Sequence, residues 1–224
     1  MGMLAPMVND GGMIRRLAAG DILVLGEPPI PATDTTNTTL ALTAAMLLNS
    51  TCYCRNPAGV STDTFPTADA LITALNAGIG AANVVPGMTF RWTMINLSAN
   101  VITTAVTANT GVTLTRGTVA AGAAGSAAGS KTFLITITNG TPLRSVSTVT
   151  TTNGSAVLGG FTDADIKNLS IGMVVTNAVA GQQGNTIIGI NAASGQVTMS
   201  GNSNATGTST FTFSPTYTVV GLSL

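Results

Sequence analysis

Short runs of alternating apolar and polar residues, separated by Gly, Asn and Pro, recur along most of this chain and restrict it to a β-rich fold. In the run Met88–Asn96, for example, Phe90, Trp92 and Met94 fall on one face of a strand. Threonine is abundant in these runs because its branched side chain suits a pleated surface. Short strands at this spacing are typical of small sandwiches or barrels.

One segment, Thr67–Ala77, has a clear helical period. Thr67 is a good N-cap residue, and Leu71, Ile72 and Leu75 share one face at spacings of three and four. A shorter turn of helix over 44–48 follows Thr43. The sequence therefore predicts an all-β protein with one main α-helix.

The chain divides into three parts by composition. Residues 1–35 read as an extended N-terminal arm, because the stretch Pro28–Pro31 favours polyproline geometry. Residues 36–143 read as a β-sandwich domain that contains helix 67–77. Residues 144–224 read as a small all-β module, whose Asn153-Gly154 pair is a strong hairpin signal. We therefore predict two β-sandwich or barrel-like domains behind an arm.

Groups that perform chemistry are scarce in this chain. It has no histidine, two cysteines and 7% charged residues, with 8 basic and 8 acidic side chains. General acid–base and nucleophilic catalysis need such groups close together. We therefore predict no catalytic, cofactor-binding or metal site, and a non-enzymatic role. The balanced charge and the lack of a basic patch argue against a nucleic-acid partner.

Two pairs of residues come nearest to a metal site. Asp163 and Asp165 resemble the start of a calcium loop, but Lys167 occupies the next alternate position, and a capping box at Thr162 explains both aspartates. Cys52 and Cys54 lack further ligands for zinc and are interpreted as small buried hydrophobic residues.

A mean hydropathy of +0.45 with so little charge indicates apolar surface that another subunit covers, so we predict an oligomer. The first residues do not form a signal peptide, and no stretch is long and apolar enough to span a membrane, so we expect synthesis in a cytoplasm and no membrane partner. Apolar residues of the arm are the candidate partner-binding residues: Ile14, Leu17, Ile22, Leu23, Val24 and Leu25. A disordered tail with one apolar run is the alternative for this segment.

Several motifs of the first predicted domain resemble a module of tailed-phage virion proteins. They occur in the order LTAAMLLNS, DTFPTADALITAL, TGVTL and KTFLITITNGTP, within about residues 40–142. The later stretches TVTTTNGS and GMVV are similar to a β module of phage and bacterial surface proteins, from which the insert FTDADIKNLS departs.

The resemblance implies a structural virion protein of the capsid decoration (cement) or head-fibre type. Its expected partners are the major capsid protein and further copies of itself, as a homotrimer, and its expected location is the capsid surface. A receptor-binding adhesin in a tail or head fibre is the alternative, with a site in the polar loops of the second module. A bacterial surface-layer or pilus-like protein is a third possibility, which the lack of a signal peptide disfavours.

Overall fold

The computed structural model describes residues 33–36, 39–122, 129–176 and 181–222. This part of the chain is mostly β-strand, which confirms the predicted all-β class. Its three α-helices are α1 (Ala44–Leu48), α2 (Ala68–Ile79) and α3 (Asp163–Ile166). Single 3-10 turns follow at Ala81–Asn83 and Ala192–Ser194. Only α2 is longer than five residues, as the sequence predicts.

Eight strands form two facing sheets, which we call the sandwich unit. They are β1 (Cys52–Arg55), β2 (Ser61–Thr64), β3 (Thr89–Asn96), β4 (Ile102–Ala105), β5 (Val112–Thr115), β6 (Thr118–Val119), β7 (Ser130–Asn139) and β14 (Thr216–Gly221). The larger sheet has the order β1-β3-β7-β14-β5, and the smaller has the order β2-β4-β6. Three of the pairings are parallel: β1 with β3, β2 with β4, and β14 with β5.

Helix α2 and the inner faces of both sheets bury one apolar cluster. Trp92, Phe133 and Phe65 meet in its centre, with ring centroids 5.4–6.1 Å apart. Thr67 caps α2 as predicted, but the helix runs through Gly78 and ends at Gly80, whose φ of 84° stops it. A glycine inside a helix costs only about 1 kcal/mol, which this apolar helix face offsets.

The remaining strands form what we call the barrel unit. They are β8 (Arg144–Thr151), β9 (Val157–Leu158), β10 (Val174–Val175), β11 (Ile187–Asn191), β12 (Gln196–Met199) and β13 (Gly207–Ser214). Two three-stranded antiparallel sheets, β10-β13-β8 and β11-β12-β9, are joined at both sides. Thr150 exchanges backbone hydrogen bonds with Gly159, and Val174 bridges to Thr186, so the six strands close on themselves.

A second apolar cluster fills the barrel unit. Phe211 and Phe213 of β13 lie in it, and Phe161 packs on Phe213 with ring centroids 5.9 Å apart. Ile166 of α3 contributes to the same cluster. Closure leaves this unit without an open sheet edge in the described chain.

The boundary predicted at residue 143 is crossed by the last strand. Residues 216–221 were assigned to the second module, but β14 lies inside the first sheet, antiparallel to β7 and parallel to β5. Tyr217 and Val219 accordingly belong to the first apolar cluster. That assignment was wrong because alternation of residues identifies a strand but does not identify its neighbours.

Candidate functional site

All six predicted partner-binding residues lie outside the described residues: Ile14, Leu17, Ile22, Leu23, Val24 and Leu25. The structure describes the chain from residue 33, where the arm meets the sandwich unit. The site that it does show is therefore the attachment of the arm.

The end of the arm and the residues just after it pair with the edges of both sheets of the sandwich unit. Asp34 bridges to Arg55 in parallel, with hydrogen bonds from its own N–H to the Cys54 carbonyl (3.0 Å) and from the Asn56 N–H to its carbonyl (2.8 Å). Seven residues later, Ala41 bridges to Thr64 of β2 in the same sense. Each of the two edge strands thus pairs with the entering chain at its last residue, β1 at Arg55 and β2 at Thr64.

A buried guanidinium group lies beneath this attachment. The Arg55 side chain is fully buried, and it pairs with the equally buried Asp63 of β2. Its Nε donates to Asp63 Oδ2 at 2.8 Å, and its Nη2 donates to Asp63 Oδ1 at 2.9 Å. Ser61 Oγ accepts from Nη2 and donates to the same carboxylate. This forked pairing supplies the hydrogen bonds that buried charges need.

The same guanidinium holds the arm. Arg55 Nη1 donates to Asp34 Oδ1 at 3.0 Å and to the Thr36 carbonyl at 2.9 Å. Tyr53 Oη donates to Asp34 Oδ2 at 2.7 Å. We call the five residues of this network the arm anchor: Asp34, Tyr53, Arg55, Ser61 and Asp63.

The electrostatics of the arm anchor keep Asp34 ionised. Burial by itself raises the pKa of Asp34, but hydrogen bonds from Thr36 and Tyr53 and the positive charge of Arg55 outweigh it, and the pKa falls from 3.8 to about 2. Burial and the neighbouring Asp34 carboxylate raise the pKa of Tyr53 well above its ordinary value. Burial lowers the pKa of Arg55, but the hydrogen bonds and charge of Asp63 outweigh it and raise that pKa. The network is therefore a fixed set of charges at neutral pH.

Sequence reasoning did not find the arm anchor. It did not predict the pairing of Arg55 with Asp63 that the structure shows. A signal was present in the strand pattern. Arg55 shares a strand face with the core residue Tyr53, and complementary polar residues at the same two-residue spacing occur in β2.

The residues considered for metal binding have structural roles in the described chain. Thr162 and Asp165 form the predicted capping box at the start of α3, and Asp165 also accepts from Arg144 Nη2 at 2.7 Å. The hydrogen bonds from Arg144 and Thr162 lower the pKa of Asp165. Cys54 is buried and Cys52 half-buried in β1, both as free thiols. No group of three or more potential metal ligands occurs among the described residues.

A groove of about 640 Å³ lies where the sandwich and barrel units meet, and we call it the junction groove. Asn139 fixes this junction by donating to Ser170 Oγ and to the Ile171 carbonyl, both at 2.8 Å. The groove is lined by Ala81, Val84, Pro86, residues 139–144, Lys167, Asn168, Ser170 and Ile171. Its cations are Arg144 and Lys167, and no carboxylate lines it.

None of the described helices is long and apolar enough to cross a membrane. The single tryptophan and both tyrosines, Trp92, Tyr53 and Tyr217, are buried in the sandwich unit. No family model, curated protein or solved structure matches this chain.

Proposed function

We propose that this chain is a structural virion protein that binds and stabilises a phage capsid shell, as a homotrimer anchored by its N-terminal arm. The partners are the major capsid protein and further copies of the chain, and the role is not enzymatic. The observation that carries the proposal is the arm anchor. A buried guanidinium, within 3.0 Å of Asp34, ties a long apolar segment to a rigid sheet edge.

The mechanism is linkage between binding and assembly. A protein that binds the assembled shell and not its free subunits shifts the equilibrium towards the shell. The apolar run Ile22–Leu25 supplies the contact area, at about 25 cal/mol per Å² buried before the cost of association. An extended segment of this kind can add as a strand to a neighbouring sheet.

The arm anchor determines how firmly this contact is attached to the protein. Asp34 is held by two backbone hydrogen bonds, by Arg55 and by Tyr53, so the arm is attached to the sandwich unit at a fixed point. A fixed attachment point reduces the entropy lost when the arm binds.

Deletion of residues 1–30 tests the proposal without disturbing the arm anchor, because Asp34 is retained. We expect the truncated protein to fold and to lose binding to purified capsids in co-sedimentation. A Leu23→Asp/Leu25→Asp variant should lose binding as well. The matched control, Leu4→Asp, lies outside the predicted residues and should bind like the parent protein. Decoration of capsids by the truncated protein would overturn the role of the arm.

Cryo-electron microscopy of virions locates the chain independently. We expect many copies over the shell, with the arm between capsid subunits. Density confined to the tail or to a fibre tip would instead establish the adhesin. The burial of Trp92, Tyr53 and Tyr217 argues against the adhesin, because aromatic stacking on sugars needs exposed rings.

A further inference from the structure

The junction groove combines an aliphatic surface with an excess of positive charge. Leu143 and Ile171 line it and are 39% and 63% exposed. Lys167 is exposed beside them and forms no ion pair with any described residue. Arg144 is paired with Asp165 through Nη2, and its Nε is buried without a hydrogen-bond partner in the described chain. This surface fits an apolar segment that carries a carboxylate.

The arm contains a segment of that chemistry. Glu27, the single glutamate of the chain, directly precedes Pro28, Pro29, Ile30 and Pro31. Prolines preset an extended backbone, so such a segment loses little conformational entropy when it binds in a groove. The carboxylate of Glu27 complements Lys167, and Ile30 complements the exposed aliphatic side chains.

The strand register of the larger sheet gives the distance between Asp34 and the junction groove of the same chain. This distance decides whether the arm segment of a chain can bind in its own groove. Asp34 lies level with Arg55 and therefore with Asn96, at one end of the sheet. The groove begins at Asn139, at the opposite end, seven residues away along β3 and three more along β7. That distance is about 33 Å at roughly 3.3 Å per strand residue.

Glu27 precedes Asp34 by seven residues. Fully extended, seven residues span at most about 25 Å. The backbone of Glu27 therefore stops about 8 Å short of its own junction groove while Asp34 remains in the arm anchor, and this restriction does not apply to the Glu27 of a neighbouring copy.

We propose that the junction groove binds the Glu27–Pro31 segment of a second copy of this chain, with Glu27 paired to Lys167. The contact is head-to-tail, because the arm leaves one end of the sheet and the groove lies at the other. Contacts of this type close into rings when the rotation between copies permits it. The inference supplies a contact for the self-association in the proposed function. Its test uses no capsid, so either proposal can fail alone.

Charge reversal in the full-length protein tests the pairing by sedimentation velocity over a series of concentrations. We expect the parent chain to self-associate, and we expect Glu27→Lys and Lys167→Glu each to weaken association about tenfold, equivalent to about 1.4 kcal/mol. The double variant Glu27→Lys/Lys167→Glu should recover most of the loss. Asp21→Lys makes the same charge change in the same arm and should leave association unchanged.

Three outcomes would overturn the proposal: a parent chain that stays monomeric at every concentration, an Asp21→Lys variant as impaired as Glu27→Lys, or a double variant weaker than either single one. Zero-length carboxyl-to-amine cross-linking of a mixture of ¹⁵N-labelled and unlabelled protein then identifies the donor copy. We expect Glu27 linked to Lys167 in heavy–light pairs. Links confined to heavy–heavy and light–light pairs, or made to Lys131 instead, would refute binding between copies.

Discussion

The sandwich and barrel units solve the problem of open sheet edges in different ways. In the barrel unit, β8 pairs with the chain just after β9, and β10 pairs with the chain just before β11, so the strands close on themselves. In the sandwich unit, the edge strands β1 and β2 each pair with the entering chain at a single residue, Asp34 or Ala41, and β5 and β6 form the opposite edges. The described strands of the barrel unit therefore offer no open edge to a partner, whereas the sandwich unit has edge strands and the attachment point of the arm.

The two units also differ in where they place charge. The sandwich unit buries Arg55 and Asp63 completely, while the ion pair of the barrel unit, Arg144 with Asp165, is partly exposed. Breaking a buried pair leaves an uncompensated charge in the interior, whereas a surface pair contributes little. The sandwich unit consequently depends on a buried ion pair near the attachment of the arm. The barrel unit depends on its apolar cluster and on the backbone pairings that close it.

The largest expected effect is that of Arg55→Met. Removing the guanidinium of Arg55 leaves Asp63 buried without its partner, and the free energy of unfolding should fall by about 3–5 kcal/mol. Urea denaturation followed by the fluorescence of Trp92, which lies in the same apolar cluster, measures this directly. Arg91→Met, on the exposed face of β3, is the control and should change stability by less than about 0.5 kcal/mol. A similar loss in both variants would remove the distinction between the two units.

The second largest loss of stability is expected at the backbone pairing of Thr150 with Gly159, which closes the barrel unit. Gly160 has a φ of 81°, and a Cβ there would run into the Thr148 carbonyl, so Gly160→Ala should disturb the junction of β8 with the chain after β9. Gly154 has nearly the same φ, of 80°, with open space around it. We expect Gly154→Ala to lower the free energy of unfolding by about 1 kcal/mol and Gly160→Ala to lower it by at least about twice as much, measured by thermal unfolding. Equal losses would show that closure contributes nothing to stability.

The ionisation of Asp34 makes the stability of the sandwich unit depend on pH. Its pKa of about 2 lies below the ordinary value of 3.8, so its stabilisation is present above about pH 4 and is lost as the pH falls through 2. Asp34→Asn should therefore cost about 1–2 kcal/mol at pH 7 and almost nothing at pH 2, measured by urea denaturation at both values. If the unfolding free energies of the parent protein and of Asp34→Asn differed by the same amount at both pH values, the linkage would be contradicted.

The smallest effect is expected where the units are alike. Thr43 caps α1 in the sandwich unit and Thr162 caps α3 in the barrel unit, each through a capping box. Replacing either residue by Ala should cost about 1 kcal/mol by chemical denaturation. A much larger cost for Thr162→Ala would mean that Asp165 depends on this cap to hold Arg144.

Local patterns identified most of the elements. The Thr43 cap predicts α1, Thr67 predicts the start of α2, and the alternation at Phe90, Trp92 and Met94 predicts β3. Two short strands, β2 and β6, have no such pattern in the sequence. β2 alternates small polar residues with its buried Ser61 and Asp63, so it lacks the apolar period that marks a strand.

Properties that depend on distant neighbours could not be predicted. The parallel pairings and the place of β14 between β7 and β5 depend on how the two sheets share one core, and no local pattern encodes this. The arm anchor required two strands to bring Arg55 and Asp63 together, and the junction groove required the chain after α3 to meet the end of β7 at Asn139.

The position of β14 makes the barrel unit an insertion in a hairpin. β7 ends at Asn139 and β14 begins at Thr216, and these two residues are paired neighbours. Everything between them, the whole barrel, therefore occupies the place of a hairpin loop. During synthesis the barrel strands are complete before β14 emerges, so the first sheet acquires the strand between β7 and β5 last. A short turn joining Asn139 to Thr216 would be the most direct way to remove the barrel and retain the sandwich.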